Sequence, residues 1–170
     1  LNRNSKAKAR DNITAHYDLG NDFYAAWLDA GMTYSSAVFA PGEDLEAAQK
    51  RKLGLLLDRL ALKDGDHLLE IGCGWGSLAE AALARAAVHY HGITLSPSQK
   101  SYADARLADK GNALVTLTDY RDVSGQYDAI ASVEMVEAVG QEYWPAYLDC
   151  IARALKPGGR AALQYIRIED

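Results

Sequence analysis

The run from Glu70 to Gly76, Glu-Ile-Gly-Cys-Gly-Trp-Gly, is the densest chemical signal in the chain. Three glycines in five residues let a backbone turn tightly and approach a ligand with no Cβ in the way. The apolar stretch His67–Ile71 ahead of them reads as a buried strand, and residues 77–87 behind them read as a helix. A helix starting there aims its free N–H groups at whatever the turn holds, which favours a nucleotide-type ligand over a plain turn. A dinucleotide site would need G-x-G-x-x-G/A and an acid about 20 residues further on. Here the third glycine comes one residue early, and the second strand ends in Thr94. Glu70, just ahead of the first glycine, suits a ligand with no pyrophosphate and a cationic amino-acid end. S-adenosylmethionine is such a ligand.

The elements that must hold this turn follow from periodicity. Residues 22–29 form a short amphipathic stretch carrying Phe23, Trp27 and Leu28, and 32–39 read as irregular. After a Pro41-Gly42 turn, Asp44 is placed to cap a helix whose apolar stripe is Ala47, Ala48, Leu53, Leu56, Leu57 and Leu60. Strands are expected at 67–71, 88–94, 114–118, 128–133 and 160–168, and helices at 77–87, 97–110 and 142–155. Pro157-Gly158-Gly159 reads as a turn before the last strand. This alternation predicts an α/β fold, a doubly wound and mostly parallel sheet with an N-terminal helical extension.

Composition narrows the function. Of 170 residues, 49% are apolar and 24% charged, enough for a packed core, so global disorder is excluded. A net charge of -5 argues against a general basic surface for duplex DNA, and no nucleic-acid partner is expected. Ten Tyr, three Trp and two Phe can furnish a binding pocket. No apolar run reaches the roughly 18 residues of a membrane-spanning helix. Cys73 and Cys150 cannot make a disulfide framework, so a reducing, cytoplasmic home is expected. Arg3, Lys6, Lys8 and Arg10 fall within the first ten residues, either as an arm for anionic phospholipid or as a solvated helix start. The chain opens without Met, as if cut from a longer protein.

Further motifs occur in order along the chain. They are His16-Tyr17-Asp18-Leu19-Gly20-Asn21-Asp22-Phe23-Tyr24, Met32-Thr33-Tyr34-Ser35 and the glycine run. Gly92-Ile93-Thr94-Leu95-Ser96, Asp119-Tyr120-Arg121-Asp122 and Glu134-Met135-Val136-Glu137 come next. Together they resemble the cyclopropane-fatty-acid synthase family of S-adenosylmethionine-dependent lipid methyltransferases, whose core is a Rossmann-like class I methyltransferase fold. The resemblance implies an N-terminal helical segment and active-site lid over residues 1–62. Residues 63–170 would then be the cofactor-binding core, without the family's C-terminal strands.

The same resemblance implies roles. Tyr34, Ser35, Glu70, Gly72, Cys73, Gly74 and Gly76 would meet the methionine end of the cofactor. Thr94, Leu95, Ser96 and Gln99 would lie by the ribose, and Tyr120 and Arg121 by the adenine. The family's general base is a bound bicarbonate ion, held by a Cys after Tyr-Ser, a Glu, a strand His and an Ile. Here Glu137 and Ile166 match, while Ser36 replaces the Cys, Ala138 the His beside the Glu, and Gln164 the strand His. Ser and Gln still donate hydrogen bonds to an anion, although neither carries charge. The implied catalytic set is thus Glu137, Ser36, Gln164 and Ile166, and the implied partners are unsaturated phospholipid acyl chains, with peripheral membrane contact and a homo-oligomer left open. The replaced residues point to a subgroup whose products include methyl-branched or methylene-bearing chains as well as cyclopropanes.

Other residues carry less. His89 and His91 alternate on one strand without a third ligand nearby, so no metal site is expected. Glu134 either binds the cofactor or ends a strand; His16 is structural or functional with equal weight; Cys73 and Trp75 read as packing residues. Asp119 and Asp122 read as loop residues, and Glu46 with Lys50 as a solvated helix pair. The expected activity is methyl transfer to the double bond of a fatty acyl chain. A small-molecule C-, N- or O-methyltransferase and a non-catalytic cofactor-binding fragment are the alternatives.

Overall fold

The structure is a computed structural model that describes residues 20–168; Arg3, Lys6, Lys8, Arg10 and His16 lie outside them. Successive side chains of a strand leave opposite faces of its sheet, and the two central strands use both faces for core. In β1 (His67–Ile71), Leu68 joins one apolar cluster while Leu69 and Ile71 join another. In β4 (Tyr127–Val133), Ala129 and Ala131 go with the first and Ile130 with the second. With β2 (His89–Thr94), β3 (Ala113–Leu117) and β5 (Leu155–Gln164) they form a parallel sheet in the order β3-β2-β1-β4-β5. The chain winds outward one way from β1 and the other way from β4. The reversal leaves a crevice at the carboxyl ends of those two strands, where ligands enter such sheets.

Helices cover both faces. A short α1 (Asn21–Ala25) precedes α2 (Leu45–Leu60), α3 (Ser77–Arg85) and α4 (Pro97–Arg106), and the last three pack on the first cluster through Leu53, Leu56, Leu57, Leu78, Ala82 and Ala103. A one-turn α5 (Val136–Val139) leads to α6 (Trp144–Ala154), whose Tyr147, Cys150, Ile151 and Ala154 fill the second cluster. The doubly wound α/β architecture expected from the alternation is present. Among the described residues no helix is long and apolar enough to cross a membrane.

Three elements differ most from the periodic reading at their boundaries. The helix expected over 142–155 opens as a 3-10 turn, Gln141–Tyr143, and α6 begins at Trp144, with Pro145 in its first turn where no N–H is needed. The helix expected to run to 110 leaves α-geometry after Arg106. The Pro-Gly-Gly turn lies inside β5 as an irregularity: Tyr127 pairs with Leu155 but Ala129 with Arg160, and a Cβ on Gly159 would sit 2.8 Å from the Asp128 carbonyl oxygen. Pairing of β5 then ends at Gln164 rather than at 168.

Asp44 caps α2 as expected, its carboxylate accepting from the Ala47 N–H at 2.8 Å. Asp44→Ala should cost about 1 kcal/mol of stability, the usual worth of an N-cap. Urea unfolding should show a lower midpoint at unchanged slope; an unchanged midpoint would show that packing alone holds this helix.

Candidate active site

The glycine turn follows β1 directly. Gly72, Gly74 and Gly76 have φ of +81°, +53° and +86°, the left-handed region that favours glycine. A Cβ on Gly72 would lie 2.5 Å from the Met135 sulfur, so a side chain here would have to displace Met135 as well as bear the left-handed φ. At Gly74 a Cβ would meet nothing within 4 Å, because the residue borders open space. That space is a cleft with a cavity of about 140 Å³ at the carboxyl ends of β1 and β4. Tyr34, Ser35, Glu70, Gly72, Cys73, Gly74, Thr94, Leu95, Gln99 and Tyr120 line it, as do Glu134 and Met135.

Three residues assigned to the cofactor by resemblance do not line the cleft. Gly76 is the N-cap of α3 at φ +86°, and a Cβ there would meet Ala103 of α4 only at ordinary contact distance, so the left-handed backbone rather than crowding favours glycine. Ser96 caps α4, its hydroxyl accepting from the Gln99 N–H at 3.2 Å. Arg121 is held by Asp119, Nε and Nη2 donating at 2.7 and 2.6 Å, and lies over the Tyr120 ring at 5.1 Å. Asp119 is therefore more than a loop residue: it fixes the short turn that presents Tyr120 to the cleft.

Burial decides the electrostatics. Glu70 is 3% exposed, and burial pushes its carboxyl up to about 8, against the opposing pull of the Tyr90 hydroxyl and the Lys52 charge. The Tyr90 O–H donates to Glu70 Oε2 at 2.5 Å. Lys52, 2% exposed on α2, is pushed down to about 8 by burial, with Glu134, Asp29 and Glu70 pulling back. Its ammonium donates to the Ser35 hydroxyl. The apolar-stripe reading passed over Lys52, yet the signal was there: it stands four residues from both Ala48 and Leu56, on the buried face.

Residues 31–36 cross the cleft as a strap tied at several points. Asp29 accepts from the Gly31 and Thr33 N–H groups, both at 2.9 Å. Gln49 Nε2 donates to the Thr33 and Ser35 carbonyls at 3.1 and 2.7 Å. The Tyr34 ring packs against Tyr24 and Trp27, centroids 5.4 and 5.6 Å apart, and Tyr24 in turn against Trp75 at 5.1 Å.

The expected catalytic set divides in two. Ser36 and Gln164 do come together, but on Glu134: the Ser36 N–H, the Ser36 hydroxyl and Gln164 Nε2 all donate to its Oε1, at 2.8, 2.5 and 2.9 Å. Glu137 instead accepts from the Ile166 N–H at 2.5 Å and is exposed. The convergence of Glu137 with Ser36 and Gln164 is thus corrected. Glu134 ends β4 with φ +49°, beside the strap, whereas Glu137 is carried onward by α5. This bears on the bicarbonate ion that the resemblance implied. Ser36, Gln164 and the Ile166 N–H are the donors it would need, and the chain's own carboxylates already hold them. Seating the ion there would require Glu134 to give up Ser36 and Gln164. The residues do not fit that ion.

The remaining candidates are structural. His91 bonds Tyr127 and Thr116 through its two ring nitrogens at 2.8 and 2.9 Å, and His89 stacks on His67 with centroids 4.8 Å apart. Burial raises the Cys73 thiol, which disfavours the reactive thiolate. Trp75 is buried, its indole N–H donating to Asn21 at 2.8 Å.

The model of the mycolic acid cyclopropane synthetase family matches residues 4–170. The chain belongs to this family. It is 46% identical to the tuberculostearic acid methyltransferase UfaA1 of Mycobacterium tuberculosis, over 95% of this chain and 40% of the relative. It is 40% identical to the cyclopropane-fatty-acyl-phospholipid synthase of Escherichia coli, over 94% of this chain and 41% of that protein. The chain therefore spans about 40% of the length of these relatives. Among solved structures, the mycolic acid cyclopropane synthase CmaA1 complexed with SAH and CTAB superposes with a TM-score of 0.83 at 34% identity, covering 86% of this chain and 53% of that one. The cyclopropane synthase MmaA2 from Mycobacterium tuberculosis gives 0.87 at 32%, covering 91% and 55%. The fold is the Rossmann-like α/β fold of class I methyltransferases.

The buried Glu70 makes stability depend on pH. Its folded value, about 8, lies above the ordinary 4.5, so the folded chain keeps a proton that the unfolded chain releases. Stability should fall as pH rises between those values. Glu70→Gln, which cannot titrate, should lose less stability than the parent on going from pH 5.5 to 7.5 by chemical denaturation. Parallel losses would contradict the raised value.

Proposed function

We propose that this chain is the cofactor-binding core of an enzyme that transfers the methyl group of S-adenosylmethionine to the double bond of an unsaturated fatty acyl chain in phospholipid. The observation that carries it is the cleft itself: a glycine turn after β1, the buried Glu70 in its lining, and the Tyr34 ring packed on Tyr24 beside it. Membership in the mycolic acid cyclopropane synthetase family supports the lipid acceptor, as do the lipid-acting names of its relatives. In this reading residues 1–62 supply the lid, of which the described part is the strap and its aromatic support.

S-adenosylmethionine supplies an electrophilic methyl on a sulfonium. The chain's own groups do the rest. Gly72 and Gly74 allow close backbone approach, and the carboxyl of Glu70, held near neutrality by burial, can ionise against a ligand ammonium. Tyr34 and Ser35 close the cleft from above, held down by Gln49 and Lys52. An olefin is a poor nucleophile, so it must be held in line with the methyl in a dry pocket. The face of Tyr34, which lines the cleft, offers negative π-density to the carbocation that attack leaves. Phe23, Trp27 and Phe39 are about half exposed or more, which suits contact with lipid at a membrane face.

Gly74→Val should abolish cofactor affinity, because a β-branched side chain would fill the open space and strain a φ of +53°. Calorimetry of the folded variant with S-adenosylhomocysteine tests the site, and unchanged affinity would remove it. Mass spectrometry of unsaturated phospholipid vesicles treated with the full-length protein and S-adenosylmethionine tests the acceptor. One added CH2 per modified chain is expected. Turnover of soluble small acceptors with none on vesicles would overturn the lipid reading.

A further inference from the structure

Three donors converge on one oxygen of Glu134, while its other oxygen, Oε2, has no hydrogen-bond partner among the described residues. Glu134 lines the same cleft as Tyr34, Gly72 and Gly74, at the carboxyl end of β4. Its backbone sits at φ +49°, a region that residues other than glycine enter only at a cost. The fold bears that cost and places a fixed carboxylate at the mouth of the cofactor cleft. Strain of this kind, held by three side-chain and backbone contacts, marks a position whose geometry matters. Lys52 adds a positive field: among the charges acting on it, Glu134 pulls hardest.

We propose that Glu134 is itself the proton acceptor of the reaction, its carboxylate occupying the seat that would otherwise hold a bicarbonate ion. This rests on the methyl-transfer reading above and deepens it. The olefin's π pair forms a carbon–carbon bond to the methyl as the methyl–sulfur bond breaks, that bond's pair staying on sulfur. A C–H bond of the resulting lipid carbocation then breaks. Its electron pair closes a ring or forms a new double bond, and the proton passes to Glu134 Oε2 and on to water. The division of labour between the two oxygens suits this step. Oε1, held by Ser36 and Gln164, fixes the carboxylate, and Oε2 presents its lone pairs. The replacement residues Ser36 and Gln164 thereby gain a purpose, as the cradle of a built-in base.

A purely structural Glu134 would only tie the strap to β5, and Gln would then serve as well. Two variants of the full-length protein separate the cases. Glu134→Gln keeps the shape but cannot take a proton; Glu134→Gly relieves the left-handed backbone and vacates the seat. Single-turnover methyl transfer to unsaturated phospholipid vesicles should fall about 10²-fold or more in both, the range for losing a positioned base. Added bicarbonate or formate should restore part of the rate to the Gly variant and none to the Gln variant. Independently of any lipid, the NMR line of 13C-bicarbonate should be broadened by the Gly variant and not by the parent protein. A Gln variant at the parent rate, broadening by the parent, or no broadening by the Gly variant would each overturn the proposal. If the parent methylates no lipid at all, the methyl-transfer reading fails, and the bicarbonate spectra still decide whether Glu134 fills the seat.

Discussion

Charge taken out of water has to be balanced where it is buried, and that constraint organises the whole carboxyl-terminal edge of the sheet. Lys52 and Glu70 are both almost fully buried, one pushed down and the other up to about 8. Left alone, each would be a large penalty. Instead the Lys52 ammonium faces the Ser35 hydroxyl and the field of Glu134, while Glu70 shares the Tyr90 hydroxyl. Each partner comes from a different element: α2, the strap, β1, β2 and the end of β4. Moving any of them would strand a polar group, so the network ties the cover of the cleft to its floor.

That tie explains why the strap is specific rather than merely close. Gln49 and Lys52 lie on the buried face of α2 and reach Thr33 and Ser35 directly, so the helix that packs the first core also sets the height of the cleft. On the far side, Glu134 catches Ser36 and Gln164, joining the strap to the edge of β5. The site is built from three such clamps around the glycine turn.

Much of this was legible in the residues. The alternation of strands and helices, the Asp44 cap and the turn after β1 follow from periodicity and local chemistry, because they depend on near neighbours. The Pro-Gly-Gly segment misled, since a bulge looks like a turn until its partner strand is known; only Asp128, across the ladder, shows why Gly159 must lack a Cβ. The partner of Ser36 and Gln164 was missed for a similar reason. Glu134 and Glu137 lie three residues apart, and nothing local says which one meets Ser36, nearly a hundred residues away. The left-handed φ of Glu134 is a tertiary fact, imposed by the ladder to Gln164 and the pull of the strap. Lys52 was hidden by its own stem, which packs like an apolar residue while the head finds polar company.

The central claim is that a charge-balanced cleft, with Glu70 held neutral by burial, receives the cationic amino-acid end of the cofactor. A cation brought beside Glu70 must lower its proton affinity and expel the proton. Calorimetry of S-adenosylhomocysteine binding at pH 7, repeated in buffers of different ionisation enthalpy, reads that proton directly. The account predicts a buffer-dependent enthalpy corresponding to proton release, lost in Glu70→Gln. An enthalpy independent of buffer, with binding intact, would contradict it.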